Sequence, residues 1–426
     1  MRVYLDSLGC RLNAAEIETL ARQFAGVGCE IAGSAVGADL LVLNTCAVTA
    51  QAARKSRQRI RALYRDNPAA PIAVLGCWAT ADPDRVVDLP GVRWVLPNPD
   101  KARAVESILG QVAEAEPWEP GRWGHTRAFL AVQEGCDSAC TYCITRLLRG
   151  RARSAALDEV VRTVAGLVAQ GAREVVLTGV SLGAYGRDLG LVEGLATLVE
   201  ALLEKTSVPR LRLSSIEPWD VGPALLRQWQ NPRLCRQLHI PLQSGSERIL
   251  RRMGRPITPE AFIRVVEQAR AVSPALAITT DVLVGFPGEG EREFEETFAL
   301  VEALEFARLH VFPYSERAGT AAVRLPDRVS SKLRRERSRC MRALGARLAT
   351  AYRARFLGEV LSVLWERRNA RGCWQGLTDN YIPVLVESPQ DLFNRIMPVR
   401  LLRQERGRVR VEIPPSREPL EKKERP

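Results

Sequence analysis

No stretch of the 426-residue chain is apolar for the roughly 18 residues that a membrane-crossing helix needs. The start lacks the apolar core of an export signal, because Asp6, Arg11, Glu16 and Glu18 interrupt it. Cysteine is sparse: ten in the whole chain is too few for a secreted fold stapled by disulfides. Internal repeats are also missing, so nothing suggests a solenoid or propeller. These absences point to a cytoplasmic protein that makes no membrane contact. In such a setting, clustered cysteines more often serve metals or catalysis, and lone ones act as small buried hydrophobes. Cys29, Cys235, Cys340 and Cys373 are expected in the second class.

What is present is an ordinary globular composition, 46% hydrophobic, long enough for two to four domains at roughly 100–200 residues each. The net charge is +12 and is unevenly spread. Residues 332–371 hold twelve Lys or Arg against three Glu, a net +9 that leaves only +3 for the rest. A solvated basic helix would explain that run. So would a polyanion-binding surface, because a candidate RNA-binding barrel follows it.

The pattern along the chain predicts an α/β protein in three parts. Residues 1–118 alternate strand and helix. Buried parallel strands are expected at Val3–Leu8, Asp39–Leu43 and Pro71–Leu75, which makes an open α/β sheet. Residues 114–124 combine Pro, Gly and acidic residues and read as a linker. Residues 122–352 contain six strand-like runs separated by helical patterns, which fits a partial (β/α)6 barrel followed by a basic helical extension. Residues 353–413 carry short strands and turns that suit a small β-barrel, and 414–426 are Pro-rich, charged and expected to be disordered.

The sharpest local signal is Cys136, Cys140 and Cys143, a C-x3-C-x2-C loop directly after the first strand of the six-unit region. Barrel active sites lie at the C-terminal ends of strands, where this loop falls. Structural zinc normally takes four ligands, and only three cysteines are here, with His125 on the far side of a strand. A 4Fe–4S cluster held by three thiolates leaves one iron open for a small molecule. Zinc or an inert loop is the alternative. Further strand ends carry Gly179, Ser215, Glu217, Gln243 and Asp281, each of which singly could be a loop or cap residue. Cys10, Cys46 and Cys77 are far apart in sequence, yet each follows a predicted parallel strand, at the sheet edge where open α/β sheets bind ligands. Three buried strand-capping cysteines would give the same pattern.

The segments LGCRLN, NTCAVT, LGCWA, EGCDSACTYCITRLLRGRARS, VVLTGVSLGAYG, LHIPLQSGSERILRRM, TTDVLVGFPGE and LHVFPYSERAGT together resemble the tRNA methylthiotransferase family of radical S-adenosylmethionine enzymes. The resemblance covers nearly the whole chain and is nearest to the bacterial threonylcarbamoyladenosine branch, and the tail resembles a TRAM barrel. It implies two 4Fe–4S clusters, one on Cys136, Cys140 and Cys143 and one on Cys10, Cys46 and Cys77, all six cysteines being metal ligands and part of the catalytic machinery. It implies S-adenosylmethionine near Tyr142, Gly179, Ser215, Glu217, Gln243 and Asp281, with two equivalents used per turnover. One cluster would generate a radical and the other supply sulfur to C2 of an adenine next to the anticodon. The implied partners are tRNA, a reducing protein such as flavodoxin or ferredoxin, and a sulfur donor. A Ser/His/Asp hydrolase reading does not compete, since an unactivated C–H bond offers a nucleophile little. Rivals are methylthiolation of isopentenyladenosine in tRNA, methylthiolation of a ribosomal-protein aspartate, and a non-catalytic iron–sulfur protein that binds RNA. Trp365, Trp374 and Tyr381 could stack on RNA bases or pack a core.

Overall fold

The computed structural model describes residues 1–414, so the expected disordered tail lies, from 415 onward, outside the described residues. The N-terminal part is a parallel five-stranded sheet in the order β2-β1-β3-β4-β5. Its strands are β1 (Arg2–Ser7), β2 (Glu30–Ile31), β3 (Leu40–Thr45), β4 (Ile72–Gly76) and β5 (Val92–Leu96). β3 and β4 are buried along their whole length, which is why their sequences run apolar without alternating. β2 and β5 were not expected from sequence. They are edge strands with mixed burial, where the hydrophobic run is too short to stand out.

The central part is an arc of six parallel strands: β6 (Ala128–Glu134), β8 (Glu174–Gly179), β9 (Arg210–Leu213), β10 (Gln237–His239), β11 (Ala277–Val284) and β12 (Arg308–Pro313). Bridges between Leu211 and Leu234 and between Ser215 and His239 join its two halves. The six predicted strands are these six. A short antiparallel strand, β7 (Arg153–Ser154), pairs with the end of β6. The long helix Ser331–Ala354 packs along β12, burying Met341, Leu344 and Leu348 in the central core. The N-terminal helix Arg11–Gly26 packs beside β6. Both edges of the open barrel are thereby shielded from pairing with other strands.

The C-terminal part is a closed barrel in the order β13-β14-β15-β17-β16. It comprises β13 (Val360–Arg368), β14 (Trp374–Thr378), β15 (Pro383–Val386), β16 (Ile396–Glu405) and β17 (Arg408–Glu412). It docks on the end of the central barrel where the strands begin. Arg210 and Arg212 donate to the carbonyls of Leu377 (3.2 Å) and Asp379 (3.0 Å), and Arg236 pairs with Asp379 at 2.6 Å. Beneath them Glu174 and Arg212, both fully buried, pair at 2.6 Å. Arginines hold the Glu174 carboxyl down to about 2, although burial alone would raise it.

Two expectations change, and between the two roles open to the aromatic residues of the tail the structure favours packing. The 114–124 linker is strapped to the core: Trp118 and Trp123 are buried, and the Trp118 indole donates to Glu18. Trp365 and Trp374 are buried in the small barrel and Tyr381 lies against Arg11, so none presents a face for RNA stacking. Cys340 is exposed, because it falls on the solvent face of the long helix, whereas Cys235 and Cys373 are buried and Cys29 is half-buried.

Candidate active site

Cys10, Cys46 and Cys77 follow β1, β3 and β4 at the C-terminal edge of the N-terminal sheet. Two glycines allow the chain to pass there. A Cβ on Gly9 (φ +116°) would sit 2.8 Å from the Cys46 Cβ, and one on Gly76 (φ +90°) would collide with Asn44. Cys77 then opens the helix Cys77–Ala81, and Cys10 caps Arg11–Gly26. Burial pushes the Cys46 thiol up to about 11, and the neighbouring Cys77 and Cys10 add to that. Desolvation also raises the Cys10 thiol, while Arg149 pulls it back.

Cys136, Cys140 and Cys143 lie in the loop after β6. The loop is pinned by Thr141, whose N–H and hydroxyl donate to the carbonyls of Met253 and Arg252, both at 2.9 Å. Burial pushes the Cys140 thiol up to about 11, opposed by Arg255, with Glu217, Cys143 and Cys136 adding to the rise. The thiols of each triad thus feel one another. Yet among the described residues the cysteines do not converge tightly enough to grip one ion, and the single group that does is His239, Asp281 and His310. Three thiols to a set are the donors that a 4Fe–4S cluster with one iron left open takes. Coordinated iron would deprotonate them and so reverse the rise in pKa.

The other residues expected from sequence lie at the C-terminal ends of the barrel strands or in the loops after them. Tyr142 packs edge-on to Phe286, with ring centres 6.3 Å apart. Gly179 ends β8 against Gln133, whose side chain accepts from the Ser181 N–H at 2.8 Å and donates to the Gly135 carbonyl at 2.9 Å. Ser215 bridges to β10. Gln243 adopts φ +68°, unusual for a residue with a side chain, between backbone bonds to Asp281 and Leu283. Glu217 accepts from Arg255 at 2.6 Å. Asp281 Oδ1 lies 3.3 Å from His239 Nε2 and 3.2 Å from His310 Nδ1.

Sequence reasoning missed the two arginines that organise the triads. Arg255 donates to Glu217 and to the Pro241 carbonyl (2.7 Å), stacks over Trp219, and points a third N–H at the Cys140 sulfur, 4.0 Å away. Arg149 ends the helix Thr145–Arg149 that follows Cys143, and it reaches into the other part of the chain. It donates to Glu16 at 2.7 Å and to Asn13 at 2.7 Å, and Asn13 also accepts from the Cys10 thiol at 3.5 Å. Lys101 meets Glu16 at 2.5 Å. Asn98 donates to the Cys77 sulfur (3.7 Å) and to the Leu148 carbonyl (2.9 Å). A polar network therefore joins the surroundings of the two triads. The only sequence signal for it was the basic run RLLRGRARS, which gives no hint of partners more than a hundred residues away. A cleft of about 880 Å³ lies elsewhere, where the C-terminal barrel meets the starts of the central strands, lined by Arg210, Arg236 and Met397.

Comparison with known proteins adds the following. Residues 130–301 match the radical SAM superfamily, and residues 2–96 match the uncharacterized protein family UPF0004. The threonylcarbamoyladenosine tRNA methylthiotransferase MtaB of Bacillus subtilis is 35% identical over 422 residues, covering 94% of each chain. The tRNA-2-methylthio-N(6)-dimethylallyladenosine synthase of Syntrophotalea carbinolica is 31% identical over 93% of this chain and 96% of its own. Among solved structures, the radical S-adenosylmethionine methyltransferase TsrM of Kitasatospora setae superposes with a TM-score of 0.53 at 15% identity, over 73% of this chain and 72% of that one, a likeness of fold.

Proposed function

Since the chain belongs to the methylthiotransferase family of radical S-adenosylmethionine enzymes, we propose that it adds a methylthio group to C2 of N6-threonylcarbamoyladenosine beside the anticodon of tRNA. In this reading the six cysteines hold two 4Fe–4S clusters, and S-adenosylmethionine lies across the strand ends that carry Tyr142, Gly179, Ser215, Glu217 and Gln243. When bound, these groups supply an electron, a carbon-centred radical and the sulfur. The protein's own residues bind, orient and enclose. Arg255 neutralises Glu217 and directs an N–H at the Cys140 sulfur, which favours the thiolate over the thiol. Gln133 fixes the turn that leads into Cys136. Arg149 and Asn98 tie the Cys10 and Cys77 surroundings to the helix behind Cys143, so the two sites keep one separation.

That tether is the observation that carries the reading. Two cysteine sets that worked independently would have no need of a buried arginine shared between them. Near full-length identity of 35% to a relative named for this substrate supports the choice of base. We assign residues 1–118 to the amino-terminal methylthiotransferase domain, 122–352 to the radical core and its basic helix, and 353–413 to the TRAM barrel. The chemistry also calls for an electron-delivering protein of the flavodoxin or ferredoxin kind and for a sulfur donor, and tRNA places the enzyme in the cytoplasm. No helix among the described residues is long and apolar enough to cross a membrane. The test is mass spectrometry of tRNA nucleosides from a strain lacking the chain. The 2-methylthio derivative of threonylcarbamoyladenosine should vanish while its precursor accumulates. Loss of the methylthio-isopentenyl nucleoside instead would overturn the substrate.

A further inference from the structure

Three adjacent parallel strands of the central barrel each turn one metal-ligating side chain inward at neighbouring levels. In and just after β10, Leu238 and Ile240 pack outward in the helix-covered core, so His239 between them faces the barrel interior. In β11, Ile278 and Val282 pack outward and Asp281 faces in, and in β12, Leu309 and Val311 leave His310 facing in. The register pairs His239 with Thr279 and Asp281 with His310, which brings the three together.

Both imidazoles aim at a single carboxylate oxygen. His239 Nε2 lies 3.3 Å and His310 Nδ1 3.2 Å from Asp281 Oδ1, and the rings stack with centres 5.3 Å apart. These distances are long for N–H···O hydrogen bonds, which centre at about 2.9 Å. They match the edge of a tetrahedral zinc site, where bonds of about 2.0–2.1 Å set neighbouring ligand atoms about 3.3 Å apart. The remaining nitrogen of His239 is held by the Thr279 hydroxyl at 2.9 Å, the kind of partner that fixes the orientation of a metal-binding imidazole. The side chains of His239, Asp281 and His310 are 11%, 22% and 40% exposed, so the group opens toward the lumen on the His310 side.

We propose that His239, Asp281 and His310 form a mononuclear site for a zinc-class divalent cation whose open coordination position takes the carboxylate of the substrate. The second half rests on the function proposed above, since a threonylcarbamoyl group carries a carboxylate. Beside Asp281 alone that carboxylate would meet like charge. A cation held between them turns the repulsion into a ligand bond. Asp281 then serves the metal rather than S-adenosylmethionine.

The test uses the anaerobically reconstituted enzyme, so that iron already occupies the cysteines. The protein is dialysed against zinc, and zinc and iron are counted in the same sample. One zinc per chain beyond the iron is expected. In Asp281→Asn and in His310→Ala zinc should bind at least tenfold more weakly, with iron content and unfolding temperature unchanged. Should Asp281→Asn not fold, His310→Ala, with its partly exposed ring, makes the comparison. Zinc X-ray absorption should show nitrogen and oxygen ligands. No zinc above the variants' level, or sulfur in its coordination sphere, overturns the site. The nucleoside N6-threonylcarbamoyladenosine should tighten zinc binding several-fold, by linkage, and adenosine should not. Equal effects of the two would remove the carboxylate from the proposal. Mass spectrometry of the tRNA product then tells whether the function reading has failed with it.

Discussion

Replacing Arg149 with methionine removes the charge that joins the two cysteine sites while keeping much of the side-chain volume. Arg149 and Glu16 have side chains only 3% and 9% exposed, and Lys101, at 8%, shares the same carboxylate. Burial raises the Glu16 carboxyl, yet Lys101 and Arg149 together hold it down at about 2 against an ordinary 4.5. A depression of that size corresponds to about 3 kcal/mol of stability at neutral pH. Arg149 supplies only part of it, and it also donates to Asn13, a bond worth about 1 kcal/mol. Arg149→Met should therefore cost about 2–3 kcal/mol at pH 7. Because the Glu16 pKa is depressed in the folded state, its contribution is complete above about pH 4.5 and is lost as the pH falls toward 2. The gap between wild type and variant should shrink across that window to about the 1 kcal/mol left by Asn13. The assay is urea unfolding of cluster-free protein at several pH values, followed by circular dichroism. A gap that does not change with pH, or no gap, would refute the assignment of Arg149 as the charge partner of Glu16.

Changing Cys136, Cys140 and Cys143 to alanine should remove about half the iron of the reconstituted protein and abolish 5′-deoxyadenosine formation, and changing Cys10, Cys46 and Cys77 should remove the other half and abolish the methylthio product. Full iron in the second triple variant would dismiss the amino-terminal site. Glu174→Gln leaves Arg212 buried without its anion and should cost about 3–5 kcal/mol in unfolding experiments, and most of that loss should be absent when Arg212→Met is added. Reversing the exposed Arg335, Arg339 and Arg342 of the basic helix to Glu should weaken tRNA binding and make its log–log salt dependence shallower by about 0.7–0.9 for each phosphate no longer neutralised, with an unchanged slope placing the RNA elsewhere.

The three-part α/β fold could be read from sequence because many of its strands are apolar runs, and Cys10, Cys46, Cys77 and the Cys136–Cys143 loop each follow one. β14 carries little signal in the sequence: it follows a turn at Gly372 and contains Gly376, where any side chain would strike Val363 and Trp365, so its packing role is carried by an absence of atoms. The strap through Trp118 and Trp123 looked like a linker because Pro, Gly and acidic residues surround the two tryptophans that anchor it. The cysteine sets were visible as spacing and strand position. Arg149, Arg255, His239 and His310 were not, because each depends on partners brought close only by the parallel register or by the docking of one part on another. His239 and His310 meet through Asp281 only once β10, β11 and β12 lie side by side. The basic run at 332–371 was legible as charge. What the sequence could not show is that Arg337 turns inward to Glu289 at 2.8 Å while Arg335, Arg339 and Arg342 stay on the solvent face.

The most direct measurement is a single-turnover reaction of the anaerobic enzyme, carrying both clusters, with tRNA that contains N6-threonylcarbamoyladenosine, S-adenosylmethionine and a reductant. Digested tRNA is analysed by mass spectrometry, and 5′-deoxyadenosine is counted in the same tube. The expected result is a 2-methylthio group on that one nucleoside, formed with 5′-deoxyadenosine, and lost in either triple cysteine variant. Steady 5′-deoxyadenosine formation with no change to the tRNA, or methylthiolation that survives loss of Cys10, Cys46 and Cys77, would contradict it.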